Sequence, residues 1–251
     1  MRVAGVSRTG FSAVYTLTMP RKKKGRRRTR RFLLWIAGVL AVVVGVSVAL
    51  TLPLRWIDPP TTSFMLRDAS GREPVLHAWI EWDRIGASAV YAVVAAEDQK
   101  FNAHFGIDVE SIQSSIDDSR RGRSLRGAST ISQQVAKNLY LWPGRSFLRK
   151  GLEAWFTVLL EAFLPKRRIL EIYLNVAQFG PGVYGIAAAS KHFFHRPPAR
   201  LSDAEAALLA AVLPNPVRMQ VERPSEYVRE RQVWILGQMQ RLKRERWLDT
   251  L

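Results

Sequence analysis

The sequence predicts a mainly α-helical domain preceded by one transmembrane helix, and three observations carry that expectation. Residues 32–54, FLLWIAGVLAVVVGVSVALTLPL, run for 23 residues without a charge. From about residue 88 onward, apolar residues recur at helical spacing between Pro and Gly breaks, with helix-start signatures before two of the runs. No strong alternating strand pattern and no internal repeat is visible.

At about 1.5 Å per residue the apolar run spans roughly 34 Å, enough for a bilayer's hydrocarbon core. Trp35 and Trp56 stand near its ends, where interfacial aromatics are favoured. Residues 1–31 are a basic tail with eleven Lys or Arg and no acid, nine of them in RKKKGRRRTRR at 21–31. Positive charge resists translocation, so the tail is expected in the cytoplasm and the chain after about residue 55 outside. A cleaved signal peptide is the alternative, since Ser47-Val48-Ala49 offers small residues, but the run is long for that purpose. Met19, just before the basic run, is a second candidate start.

The formal net charge is +17, yet beyond residue 31 only 27 basic residues face 21 acidic ones. The excess therefore belongs to the tail and to anionic lipid, not to a nucleic-acid-binding domain. No cysteine is present, which excludes disulfides, thiol nucleophiles and Cys-based zinc sites. His192 and His195 suggest a metal, but four histidines without cysteine make a poor case for zinc.

Residues 55–75, with Asp58-Pro59-Pro60 and Gly71, read as a linker, and the domain is expected over 76–246. Residues 88–98 read as an apolar helix. Residues 107–126, IDVESIQSSIDDSRRGRSLR, are polar and read as mobile, with Arg120, Arg121, Arg123 and Arg126 facing lipid headgroups, diphosphate or solvent. Helices follow over 130–140 and 146–163, split by Trp142-Pro143-Gly144. Pro165 interrupts, and helical spacing resumes over 166–176. FGPGVYG at 179–185 reads as a glycine-rich loop and 186–195 as another helix. Ser202 with Glu205 forms a capping box opening a buried helix that stops at Pro214. Residues 225–246 read as a charged amphipathic helix.

The apolar helix ends in Glu97-Asp98, with Phe101 and His104 just beyond. A solvated helix end accounts for the charges, and so does an acid or base at the lip of a cleft. In GASTISQQVAKNLYL (127–141), Thr130 and Gln133 form a capping box, and Thr130, Gln133, Gln134 and Lys137 share one helix face. That face is either an anion site or ordinary exposed surface. In GRSFLRKGLEAWF (144–156), Arg145, Arg149, Lys150 and Glu153 cluster by i+3/i+4 spacing, as a salt-bridge ladder or as a charged site on a central helix. Paired carboxylates suit sugar chemistry, and cations suit a leaving diphosphate.

These residues carry a resemblance. EDQKFNAHFG (97–106) resembles the EDxxFxxHxG motif of the family 51 peptidoglycan glycosyltransferases, and GASTISQQVAKN (127–138) their GxSTxxQQxxKN motif. RKGLE (149–153) resembles RKxxE. KRRILEIYLNVAQFGPGVYGIAAASKHFF (166–194) and LSDAEAALLAAVLPNP (201–216) resemble the remaining blocks. All five occur in order across nearly all of 76–216. The chain is short and has no S-x-x-K or K-T-G, so it resembles the monofunctional, membrane-anchored members.

The resemblance implies a lysozyme-like glycosyltransferase fold with a smaller membrane-proximal jaw lobe, with which 107–126 aligns. It implies polymerisation of lipid II into glycan strands, with inversion and release of undecaprenyl diphosphate. Glu97 would be the general base toward the acceptor GlcNAc 4-hydroxyl, and Glu153 the second catalytic glutamate, near the donor diphosphate. Lys137, Arg145 and Lys150 match diphosphate-binding cations, and Thr130 and Gln134 match substrate contacts. Asp98, Phe101 and His104 are expected to shape the site. A divalent cation, Mg2+ or Mn2+, is implied, with its protein ligands unknown and no organic cofactor. The implied partners are lipid II, the growing strand, the membrane and other cell-wall synthesis proteins, with no nucleic acid. The implied location is the bacterial inner membrane, crossed once, with the catalytic domain in the periplasm. One departure is HFFHRPP (192–198), where the family usually reads Phe-Gly-Lys. A glycan-cleaving enzyme of related fold has no need of the cations, and an inactive scaffold would show decayed motifs.

Overall fold

A computed structural model of the chain describes residues 24–121, 129–144 and 146–251. The tail before residue 24, with Met19, lies outside the described residues, as do Arg123, Arg126 and Arg145. The chain divides into two units, Met1–Val44 and Gly45–Leu251. Helix α1, Lys24–Thr51, is long and apolar enough to cross a membrane. Its large apolar side chains from Phe32 to Val43 stand exposed, as a lipid-facing helix requires.

Among the described residues the second unit is mainly helical. Its helices are α2 (Ala87–Glu97), α3 (Val109–Arg120), α4 (Ile131–Tyr140), α5 (Phe147–Phe163), α6 (Lys166–Val176), α7 (Ile186–Phe194), α8 (Asp203–Val212) and α9 (Glu226–Arg244). Helix α2 is apolar all round and therefore sits inside, buried from Ala89 to Ala95. It packs against α8 and α9, while α4 packs against α5 and α6, and the buried side chains form one core. Both capping boxes form as the spacing predicts, Thr130 with Gln133 at α4 and Ser202 with Glu205 at α8.

Three short strands were not legible in the sequence. β1 (Leu76–His77) runs parallel to β3 (Val183–Tyr184), and β2 (Gln178–Gly180) pairs antiparallel to β3. Strands of two or three residues are too short to display an alternation.

Two expectations are corrected. The 55–75 segment is packed, not a free linker. Thr62 and Met65 are buried, and the Ser63 and Phe64 amides donate to Leu139 O and Asn138 O. Carbonyls in the last turn of a helix lack intrahelical donors, and the segment supplies them. Arg168 also reaches back to Leu54 O and Asp58, at 2.8 and 2.7 Å. The second correction concerns the polar stretch from 107, which forms α3 over Val109–Arg120. Asp108 starts that helix by accepting from the Ser111 amide at 2.9 Å.

Candidate active site

The site begins where α2 stops. Glu97 is its last residue, and the chain turns out at Asp98. The Glu97 side chain is 13% exposed. Its Oε2 accepts from Gln134 Nε2 at 2.7 Å, and its Oε1 from Arg231 Nη2 at 3.3 Å. The Tyr173 hydroxyl donates to Gln134 Oε1 at 3.2 Å, which turns the amide so that its NH2 faces Glu97. Burial pushes the Glu97 carboxyl above its ordinary value, against the opposing pull of Gln134, Arg231 and Lys137. Burial likewise pushes the Tyr173 phenol well up, so it stays a neutral donor.

Asp98 ties the end of α2 to the start of α4. Its carboxylate accepts from His104 Nε2 at 2.9 Å and from the Ile131 amide at 3.0 Å. A negative charge at a helix N-terminus is favourable, and here it also fixes where α4 begins. Phe101 is fully buried, edge-on to the His104 ring, with Lys166 Nζ 4.5 Å from its centroid. Thr130 lines the cleft, but its hydroxyl donates to Gly106 O at 2.5 Å and accepts from the Gln133 amide at 3.2 Å. Gly106 has φ +75°, and a Cβ there would meet Thr157 Cγ2 at 2.6 Å, so this close approach needs glycine.

Glu153 lies in the second turn of α5 and is 4% exposed. It accepts from Arg149 Nη1 at 3.1 Å and from Lys150 Nζ at 2.5 Å. The Arg149 side chain is only 12% exposed, whereas the Lys150 side chain is half exposed and also reaches Ser129 Oγ at 3.5 Å. Lys137, on α4, feels both Glu153 and Glu97, and burial lowers its pKa. The α4 face read as anion site or open surface is thus largely enclosed: Thr130 and Gln133 are buried, Gln134 and Lys137 partly so.

A cleft of ≈ 300 Å³ opens at Glu97, bordered by Asp98, Lys100, Ser129, Thr130 and Trp234. Glu153 does not line it and connects to it through Lys150 and Ser129. The structure therefore joins Glu97, Asp98, Thr130 and Gln134 directly, with Lys137, Lys150 and Glu153 alongside. His192 stands 4.0 Å from Glu222, and His195 caps α7 in the left-handed region, φ 54°. No three acidic or imidazole groups cluster to hold a metal among the described residues.

Arg231 and Trp234, both on α9, were missed by sequence reasoning. A signal exists. Val228, Ile235, Met239 and Leu242 form the buried stripe of α9, and Arg231 falls on it at i+3 from Val228 and i−4 from Ile235. A cation on an apolar stripe calls for a buried anion.

A helical domain that buries a carboxylate at a polar cleft, with a second carboxylate held among cations nearby, has the parts of an enzyme acting on sugars. The sequence profile of a family described as Transglycosylase matches residues 66–240. The chain is 47% identical over 220 residues to the biosynthetic peptidoglycan transglycosylase of Shewanella oneidensis, covering 86% of this chain and 94% of that protein. The protein of the same name from Xanthomonas axonopodis pv. citri is 50% identical over 223 residues, 86% of this chain and 91% of that one. That of Aeromonas hydrophila is 47% identical over 213 residues, 83% and 88%. The chain belongs to the transglycosylase family, and its helical domain is the lysozyme-like one of that family.

Proposed function

We propose that this transglycosylase synthesises cell-wall peptidoglycan, polymerising lipid II with Glu97 as general base. The observation that carries the reading is the setting of Glu97. Burial raises its proton affinity, Gln134 and Arg231 orient it, and it opens on the cleft. A base is most effective with a pKa near working pH and within hydrogen-bond reach of the proton it takes.

In the proposed step the acceptor's GlcNAc 4-hydroxyl gives its proton to Glu97. The freed oxygen attacks C1 of the donor's MurNAc, and the bond from C1 to the diphosphate oxygen breaks with inversion. The electron pair leaves on undecaprenyl diphosphate. In this reading Lys137 and Lys150 take up that charge, with Arg145 as a third from the sequence motif; the support is that Lys137 lies within reach of both carboxylates and Lys150 reaches Ser129 on the cleft. Glu153 holds Arg149 and Lys150 in position. A divalent cation would supply further charge for the leaving diphosphate; no three acidic or imidazole groups gather to hold one among the described residues, and no step is assigned to it.

The apolar helix α1 serves as the single membrane anchor in this reading, keeping the domain close to lipid-linked substrate. The basic run before it sets the N-terminus in the cytoplasm and the domain in the periplasm of the inner membrane. The growing glycan strand and other cell-wall synthesis proteins are its proposed partners.

The test is gel-resolved polymerisation of labelled lipid II by detergent-solubilised protein, with Glu97→Gln alongside. High-molecular-weight product that muramidase digests, absent with the variant, is the expected result. A folded wild-type protein that makes no polymer but digests purified sacculi would overturn it.

A further inference from the structure

Arg231, on helix α9, stands 134 residues from Glu97 in the chain, yet its guanidinium enters the site. Arg231 Nη2 donates to Glu97 Oε1 and to Ala96 O, both at 3.3 Å. Its Nε is buried without a partner among the described residues and the side chain is only 21% exposed, so the guanidinium is largely, not wholly, withdrawn from water. Removing a guanidinium from solvent is costly unless its charge is used. Salvaging an apolar stripe does not require it, because a leucine at 231 would continue the run of Val228, Ile235 and Met239.

The geometry points to Arg231 as the positioning residue of the catalytic base: it clamps the end of α2 and the Glu97 carboxylate together and fixes the orientation of Oε1. The inference rests on the reading of Glu97 as base. Two physical demands meet at this point. Carbonyls of the last turn of α2 lack helical donors, and Arg231 supplies one to Ala96 O. The same helix end carries partial negative charge, which works against an ionised Glu97. One guanidinium answers both. Both bonds leave one nitrogen, Nη2, whose N–H directions are fixed by the guanidinium plane; a lysine would supply the charge on a flexible stem with freely rotating donors. Trp234, one turn further along α9, borders the cleft, so Arg231 and Trp234 put one face of α9 into the site.

The groups that face Glu97 are Gln134 and Lys137 from α4, Tyr173 from α6, the adjoining Asp98, and Arg231 from α9. Only the last is changed in the test. Full-length wild type, Arg231→Gln, Arg231→Lys and Glu97→Gln are assayed for lipid II polymerisation across pH, with melting curves for each. Wild-type polymer establishes the underlying reading; its absence defeats that reading before Arg231 is judged. Given wild-type activity, Arg231→Gln is expected to lower kcat about 10-fold or more with little change in KM. The acid limb of its kcat/KM profile is expected to move up by about one pH unit, since a neutral neighbour no longer favours the ionised carboxylate. Arg231→Lys keeps the charge, so its acid limb should stay at the wild-type position while kcat falls several-fold. An Arg231→Gln protein with unmoved limb and wild-type kcat overturns the inference. If that variant does not fold, Arg231→Lys decides alone, and wild-type kcat in it overturns the inference.

Discussion

Glu97 sits at the end of α2 with neutral Gln134 at 2.7 Å and Arg231 at 3.3 Å; Glu153 sits within α5 between Arg149 at 3.1 Å and Lys150 at 2.5 Å. Glu97 opens one short motif and Glu153 closes another, and both are largely shielded from solvent. Their surroundings separate them. Burial is the largest influence on Glu97, and it favours the protonated form. Glu153 faces two cations at close range, Arg149 and Lys150, and does not line the cleft. A proton acceptor must meet the substrate, whereas a positioning group needs only its neighbours. The contrast thus separates a group suited to chemistry from one suited to holding other groups still, although the sequence presents each as a glutamate beside charge.

The largest effect that would break this comparison is at Glu97. Glu97→Gln keeps the shape and the neighbours and removes the proton acceptor, so turnover should drop by about 10²–10⁴-fold. Polymerisation rates measured with purified protein check it. Stability should depend on pH. Because the native protein binds this proton more tightly than the unfolded chain, the group's contribution is full below the ordinary carboxylate value. It is lost as pH rises through the raised native value. Glu97→Gln removes that pH-dependent loss but also takes the charged partner from Arg231, so its Tm relative to wild type should improve as pH rises from about 4 toward neutrality. A Tm difference that does not change with pH would contradict the burial argument.

Glu153→Gln is the counterpart and should chiefly lower stability. It leaves the largely shielded Arg149 guanidinium without its charged partner, and breaking such a pair from one side costs up to about 3 kcal/mol. Urea unfolding should show the loss. If Glu153→Gln were as stable as Glu97→Gln, the two carboxylates would not differ in the way their neighbours indicate.

Lys137 links the two regions, since it feels both carboxylates from a half-buried position on α4. Replacing it with Met keeps the length and removes a charge whose burial already costs the fold. Lys137→Met should therefore melt no lower than wild type while turnover falls about 10²-fold. Its acid limb should also rise, because one of the cations favouring ionised Glu97 is gone. A wild-type rate would remove Lys137 from the diphosphate site.

Much of this arrangement was legible because local rules and the fold agree. The capping boxes at Thr130 and Ser202 announce helices that the structure shows, and the unbroken apolar run before Glu97 can only be interior. The motif residues Glu97, Asp98, Thr130 and Gln134 converge because α2 ends where α4 begins, and the Asp98 bond to the Ile131 amide makes that junction. What stayed hidden has a common cause. The segment around Thr62 and Met65 looks like a linker because its value is tertiary: it donates to the carbonyls of α4, which its own residues do not reveal. Helix α3 is polar enough to read as loop, and its Asp108 cap is one polar residue among many. Arg231 lies in a helix with many charges, and only its place on the buried stripe distinguishes it. Periodicity reports which face is inside, but not which distant carboxylate waits there.

The smallest effect sharpens the clamp itself. Arg149 and Lys150 both bond Glu153, but the Lys150 side chain is 50% exposed and Arg149 only 12%. An exposed ion pair contributes about 0–1 kcal/mol, so Lys150→Met should change stability by less than about 1 kcal/mol. Its ammonium also reaches Ser129 on the cleft, where the proposed reading puts the diphosphate. Lys150→Met should therefore weaken substrate binding and slow turnover with Tm nearly unchanged, while Arg149→Met should chiefly lower Tm. Steady-state kinetics and melting curves on the two variants would separate the ligand hand from the structural one. Equal melting losses in both would mean that solvent exposure does not divide the pair.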